Sequence, residues 1–263
     1  MAERNPPPLR ALSPAHHGSA YWHPPARYGF ARVHQSLPLI LAEILPAAAC
    51  FPILFTADPD GPMPRALLRI SPDGQSPFIG PDGRWRAAWL PPVLTTHPFG
   101  LITTEAEQPV LGVDETAGLI SDDPRGQPLF TPDGTLSPAL TGVTEKLRAR
   151  AMAGPATRQA SQALRESGVL TPCPDIEGLS RVDPARAAAL HEAQILALHK
   201  VGALVLCHAA LVSACHLDWL RRAEALIPLT RTTAQSTAQS TAPQAHDFLA
   251  ALGKARDQQR CSQ

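Results

Sequence analysis

Residues 71–85 read SPDGQSPFIGPDGRW, and the tripeptide Pro-Asp-Gly that they contain twice recurs at 59–61 and 132–134. Proline presets φ near −65° at the first central position of a turn, aspartate bonds to nearby backbone, and glycine accepts a positive φ where the chain leaves. The runs between and after the first three copies are ALLRI, PFIG and RWRAAWL. Turns this closely spaced predict a meander of short antiparallel strands. CFPILFT (50–56) reads as a strand before it, and HPFGLIT (97–103) and PVLGV (109–113) as two more after it. Pro52, Pro77, Pro91, Pro92, Pro98 and Pro109 each remove a ladder donor, so the sheet is expected to be bent, with edge or interrupted strands.

The repeated aspartates also invite a calcium reading. Only Asp58-Pro59-Asp60-Gly61 has the spaced carboxylates of a calcium loop, and it lacks the further oxygen ligands and closing glutamate of an EF-hand. These aspartates read as turn formers.

The pattern changes near residue 136. Ser137-Pro138 has the form of an N-cap followed by proline at the first helical position, and Leu140, Val143 and Leu147 recur at helical spacing. One helix is predicted to about Ala153 and a second from Pro155 to about Ser167, where Gly168 ends it. Asp183-Pro184 repeats the start signal, and the proline-free, Ala- and Leu-rich chain to Leu226 predicts one long helix or a pair bent near Gly202. Its most apolar run, 201–217, is shorter than the ~20 residues that span a bilayer and reads as a buried helix. Beyond Thr230, TRTTAQSTAQSTAPQ is too polar to bury a core and is expected to be disordered, with a short helix at HDFLAALGKAR (246–256). The predicted fold class is α+β. Residues 1–27 form an irregular proline-rich segment and 28–226 a single domain, with an antiparallel, proline-rich bent sheet (28–114) and helices (137–226) packed on one face. Residues 227–263 form a low-complexity tail.

Composition narrows the function. A chain of 263 residues with 44% hydrophobic content can bury a sizeable core, and 23 basic against 23 acidic side chains give no net field toward nucleic acid or anionic lipid. Five cysteines without a CxxC pair imply neither a disulfide framework nor a zinc ribbon, and the N-terminal stretch lacks the apolar core of a secretory signal. A soluble, cytoplasmic protein is expected, with no transmembrane segment.

Motifs for chemistry are sparse. His191, His199, Cys207, His208, Cys215 and His216 miss the three- or four-residue spacing that puts two ligands together on one helix, so neither metal nor cofactor is expected. No G-x-S-x-G, Walker A or G-x-G-x-x-G occurs. Glu43, Asp114, Glu115, Asp122 and Asp123 read as solvated turn carboxylates. The strongest candidate is aromatic, RWRAAWLPPVLTTHPFG (84–100). In a strand Trp85 and Trp89 would share a face, with Phe99 close by and Arg84 and Arg86 at the rim. That patch is either core or a binding surface for a hydrophobic or proline-containing ligand. Trp85 is expected to be mostly buried and Trp89 partly exposed beside Pro91.

Taken in order, FPILFTAD (51–58), DGRWRAAWLPPVLTTHPFGL (82–101), LSRVDPARAAAL (179–190) and LHKVGALVLCHAALVS (198–213) resemble the SapC-like family of bacterial proteins. The resemblance covers about residues 12–226. It departs at Ala209-Ala210-Leu211, where the family tends to carry Ala-His-Leu. It implies a surface-layer or uptake-associated role without a defined mechanism. The expectation is therefore a non-catalytic binding or accessory protein for a peptide, protein or small apolar ligand. The alternative is an enzyme whose site gathers scattered residues, with His17, His97 and His199 as candidates. Two of these histidines converging with a carboxylate in a deep pocket would mark the enzyme; a shallow apolar groove at Trp85 and Trp89 would mark the binder.

Overall fold

A computed structural model describes residues 9–58, 61–103 and 109–227; the helix expected at 246–256 lies outside them. In chain order the elements are β1 (Arg10–Ala11), α1 (Pro14–His17), β2 (Tyr21–Trp22), β3 (Ser36–Pro38), α2 (Ile44–Ala48), β4 (Ile53–Thr56), β5 (Pro64–Leu67), α3 (Pro92–Thr95), β6 (Phe99–Thr103) and β7 (Pro109–Val113). They continue with β8 (Ile120–Ser121), β9 (Gln127–Pro128), α4 (Pro138–Glu166), β10 (Leu170–Pro172), β11 (Leu179–Val182), α5 (Pro184–Ala188), α6 (Glu192–Lys200), α7 (Ala203–Ser213) and α8 (Cys215–Leu226).

All four Pro-Asp-Gly copies turn the chain. In each, the glycine N–H donates to the carbonyl three residues back: Gly61 to Asp58 (3.1 Å), Gly74 to Ser71 (3.0 Å), Gly83 to Gly80 (2.8 Å) and Gly134 to Thr131 (2.9 Å). Gly61, Gly83 and Gly134 take φ of 113°, 81° and 79°, where a side chain is strained. The first turn joins β4 to β5. The third and fourth close minimal hairpins held by single bridges, Ile79–Trp85 and Phe130–Leu136. PFIG and RWRAAWL are therefore not strands, because Pro77 and Pro81 leave too few donors for a ladder.

The architecture is α+β, with every strand pair antiparallel. Instead of one sheet over 28–114, there are three: β10-β11-β4-β5-β3, β1-β7-β6 and β8-β2-β9. The largest recruits β10 and β11 from beyond α4, and the two small sheets draw β1 and β2 from the N-terminal stretch expected to be irregular. Each strand is too short to define a sheet alone, and pairing of distant segments completes it.

Two apolar clusters fill the interior. The larger, around Phe51, Phe55, Leu67 and Leu206, lies between the five-stranded sheet and the helices. The smaller gathers Trp22, Phe99, Leu111, Val113 and Leu129. α4 belongs to both, giving Leu140 and Val143 to the smaller and Ala160 and Leu164 to the larger. Ser137 caps it as predicted, its hydroxyl accepting the Leu140 N–H. The break expected at Pro155 is absent: the helix runs through it. Gly154 has no Cβ to meet the proline ring, which removes much of the usual conflict for a helical residue before proline.

The segment after Asp183 is more divided than predicted. The bend at Gly202 is present, with φ 72° and 100° between α6 and α7. A further break precedes α6, where His191 and Gln194 form a reciprocal cap. α7 lies against β4 and β11, and its Ser213 hydroxyl accepts the Ile53 N–H at 3.0 Å. No single helix among the described residues is long and apolar enough to cross a membrane.

Candidate functional site

The aromatic segment does not lie on a strand. After its one bridge, Trp85 is followed by bends, and Pro91-Pro92 start α3 instead of ending a strand. The turn before it is anchored from outside: the guanidinium of Arg32 donates to the carbonyls of Gly80 and Pro81, that of Arg27 to the carbonyl of Asp82. The Trp85 indole N–H donates to the Trp89 carbonyl at 2.9 Å, closing the W-x-x-x-W segment on itself.

Both tryptophans face Phe51, at ring-centroid distances of 6.0 and 6.3 Å. Each is half-buried. Trp85 keeps most of its surface covered and Trp89 is partly exposed beside a buried Pro91. A third ring, absent from the sequence reading, joins from α8: Trp219, 43% exposed, lies 5.3 Å from Phe78, which itself contacts Phe51 and Trp85. No local spacing could have found it, because it is far away in sequence. On the other flank Trp85 meets Tyr28, then Phe30, which stacks on His97 at 3.9 Å.

The indole N–H groups of Trp89 and Trp219 have no acceptor among the described residues, and that of Trp89 is not sealed inside the protein. Arg84 and Arg86 are exposed, as a rim requires. Arg84 pairs with Asp82 at 3.2 Å, whereas the Arg86 guanidinium has no polar partner among the described residues, its backbone N–H donating to the Phe78 carbonyl. Phe99 does not belong to this surface. It points into the smaller core, 6% exposed and 5.2 Å from Trp22, because it begins β6 and that strand's inward face packs on the small sheet.

The three histidines are not brought together. His17, 4% exposed, binds Glu115 through Nε2 at 2.9 Å, and its Nδ1 accepts the Ser13 N–H at 3.3 Å, tying α1 to the turn after β7. That bond, with help from Arg10, holds the Glu115 carboxyl below its usual range. His97 lies near Asp114. Burial pushes its pKa below the ordinary 6.5, Asp114 opposing and His34 adding to the effect. Asp114 itself caps the following turn, accepting from the N–H and hydroxyl of Thr116. His199 is exposed on α6, apart from both. Among the described residues no group of three or more His, Cys, Asp or Glu side chains is placed to hold a metal ion.

A crevice of about 300 Å³ lies between the end of β3, Met63, β6 and α4. Its α4 wall is Leu147, Arg150, Ala151 and Gly154, one stripe at helical spacing. A second hollow shares Ala151 and Gly154 and continues along α4 past Arg158 and Gln162 to Arg165. The candidate histidines line neither. The stripe was available in the sequence as spacing, but the sheet edges opposite it were not.

The fold and these surfaces define the class: a mixed α+β protein with a tryptophan cluster open to solvent and a helix-walled crevice. The chain belongs to the SapC family, whose model matches residues 12–220. No curated protein and no solved structure matches it. The stretches carrying the family resemblance have clear structural work here. Asp183 caps α5 by accepting the Arg186 N–H at 2.9 Å, Gly202 makes the α6–α7 bend, and Trp85 fastens Trp89.

Proposed function

We propose that this SapC-family protein is a non-catalytic binding or accessory component of a bacterial envelope or uptake system, acting from the cytoplasmic side. Its contact surface is Trp85, Trp89 and Trp219, with Arg84 and Arg86 at the rim, and it takes a peptide or protein segment or a small apolar ligand. One observation carries this reading: the partly exposed Trp89 and the exposed Trp219 have no acceptor for their indole N–H among the described residues, and the exposed Arg86, three residues before Trp89, has no side-chain polar partner among them. Tryptophan and arginine are the side chains most enriched where binding energy concentrates, since each adds apolar area and a directional donor together. Free thiols at Cys50, Cys173, Cys207 and Cys215 support a reducing compartment.

Iodide quenching of single-tryptophan variants tests the surface. Variants retaining only Trp89 or only Trp219 should be quenched far more strongly than one retaining only Trp22, which is buried. A Trp89 that iodide cannot reach would remove the contact surface and the proposal with it.

A further inference from the structure

Four arginines converge on the turn that precedes the tryptophan segment. Arg27 donates to the Asp82 carbonyl and Arg32 to those of Gly80 and Pro81, while Arg84 turns back to the Asp82 carboxylate. Arg86 lies over Gly80: a methyl there would come 3.1 and 3.2 Å from its Nε and Nη2, so the guanidinium rests on bare glycine backbone. All four residues are exposed. The two segments that bring them together, RYGFARVH (27–34) and GPDGRWR (80–86), contain a single carboxylate, Asp82.

Charge and order decide what this cluster holds. Backbone carbonyls fix Arg27 and Arg32 in place without neutralising them, and each keeps nitrogens that have no partner among the described residues. Much of their side-chain entropy is therefore lost before a ligand arrives. Because the chain as a whole has equal numbers of acidic and basic residues, this positive excess is local. A polyphosphate backbone calls for cations strung along a groove, whereas these surround one turn that has a carboxylate of its own. Separate carboxylates suit it better, since the arginine fork takes each one bidentately. Tyr28 follows Arg27 and Trp85 stands between Arg84 and Arg86; both are half-buried, with rings 6.1 Å apart, and they offer an apolar side chain a seat beside the charges. We infer, resting on the tryptophan contact surface proposed above, that Arg27, Arg32, Arg84 and Arg86 bind an acidic peptide segment whose carboxylates flank an apolar residue seated at Tyr28 and Trp85.

Fluorescence anisotropy of the full chain with the labelled peptide Asp-Glu-Leu-Phe-Glu-Asp and its amide counterpart Asn-Gln-Leu-Phe-Gln-Asn tests this. The acidic peptide should bind saturably, at least tenfold tighter than the amide one, and the difference should collapse at about 1 M salt, where exposed charges are screened beyond about 3 Å. Arg86→Gln, at an exposed position whose side chain bonds to nothing among the described residues, should weaken the acidic peptide about fivefold, leaving the amide peptide and the melting temperature unchanged. Equal affinity for the two peptides, no saturable binding of the acidic one, or a folded Arg86→Gln protein with undiminished acid preference would each overturn the assignment. A thymidine oligonucleotide of about ten nucleotides, or phosphatidylglycerol vesicles, held more tightly than the acidic peptide would show a phosphate site and overturn it too. Trp89→Ala combined with Trp219→Ala reports separately on the tryptophan surface: it should weaken both peptides alike. An acid preference that persists with no such weakening would remove that surface and leave the arginine cluster, whereas weakening without acid preference would do the reverse.

Discussion

Trp85 is both a structural and a surface residue, and its substitutions should separate the two. Phenylalanine there keeps most of the ring contacts with Phe51, Phe78 and Tyr28 but removes the donor to the Trp89 carbonyl, a loss of about 1 kcal/mol. Alanine removes the packing too and should cost about 3 kcal/mol, whereas Trp219→Ala, at a far more open position, should cost under about 1.5 kcal/mol. Urea denaturation reads all three. A second residue-scale expectation concerns pH. Burial holds His97 below 6.5, so just under that pH the unfolded chain binds a proton that the folded protein refuses. The stabilisation is complete above 6.5 and lost as pH falls toward the depressed folded value. Urea midpoints at pH 7.5 and 5.5 should therefore differ less in His97→Phe, which keeps a ring on Phe30, than in the parent. His17 and His97 were legible as candidates, but not as groups already engaged: the partner of His17 is almost a hundred residues away, and His97 stacks on Phe30.

At the scale of elements, α4 shows how local signals can be right in kind and wrong in extent. Its start at Ser137-Pro138 was readable because a cap and a first-turn proline act on their own neighbourhood. Its passage through Pro155 was not, because the same proline that begins one helix can be carried inside another when glycine precedes it. The proline still denies the helix one backbone bond, to the Ala151 carbonyl. Pro155→Ala should thus stabilise the protein by roughly 1–3 kcal/mol, the residue being exposed on the wall of the α4 hollow. Gly154→Ala alone should gain less than the roughly 1 kcal/mol of helix propensity, although nothing lies within 4 Å of the new methyl, because alanine before proline resists helical backbone. If Gly154→Ala gained as much as Pro155→Ala, the steric account of the junction would be wrong.

For the whole molecule, the α+β class was legible from four turns and two cap-proline starts, all of them local features. Sheet membership was not, because β11 pairs with β4 across more than a hundred residues and neither strand's sequence names its neighbour. The candidate surface was legible by half: Trp85 and Trp89 are four residues apart in sequence, whereas Trp219 arrives only through the fold, and Phe99 leaves for the other core. The central claim is that the tryptophan face is a contact surface as well as the outer wall of the core. Ala88 is exposed between Trp85 and Trp89, and Glu145 is exposed on α4, so both accept a benzoylphenylalanine photocrosslinker at low structural cost. Irradiation in the producing cell should give a discrete adduct from position 88, none from 145, and none from 88 once Trp89→Ala and Trp219→Ala are introduced into a protein that remains folded. The same products from both positions, or an adduct at 88 indifferent to the two tryptophans, would contradict the account.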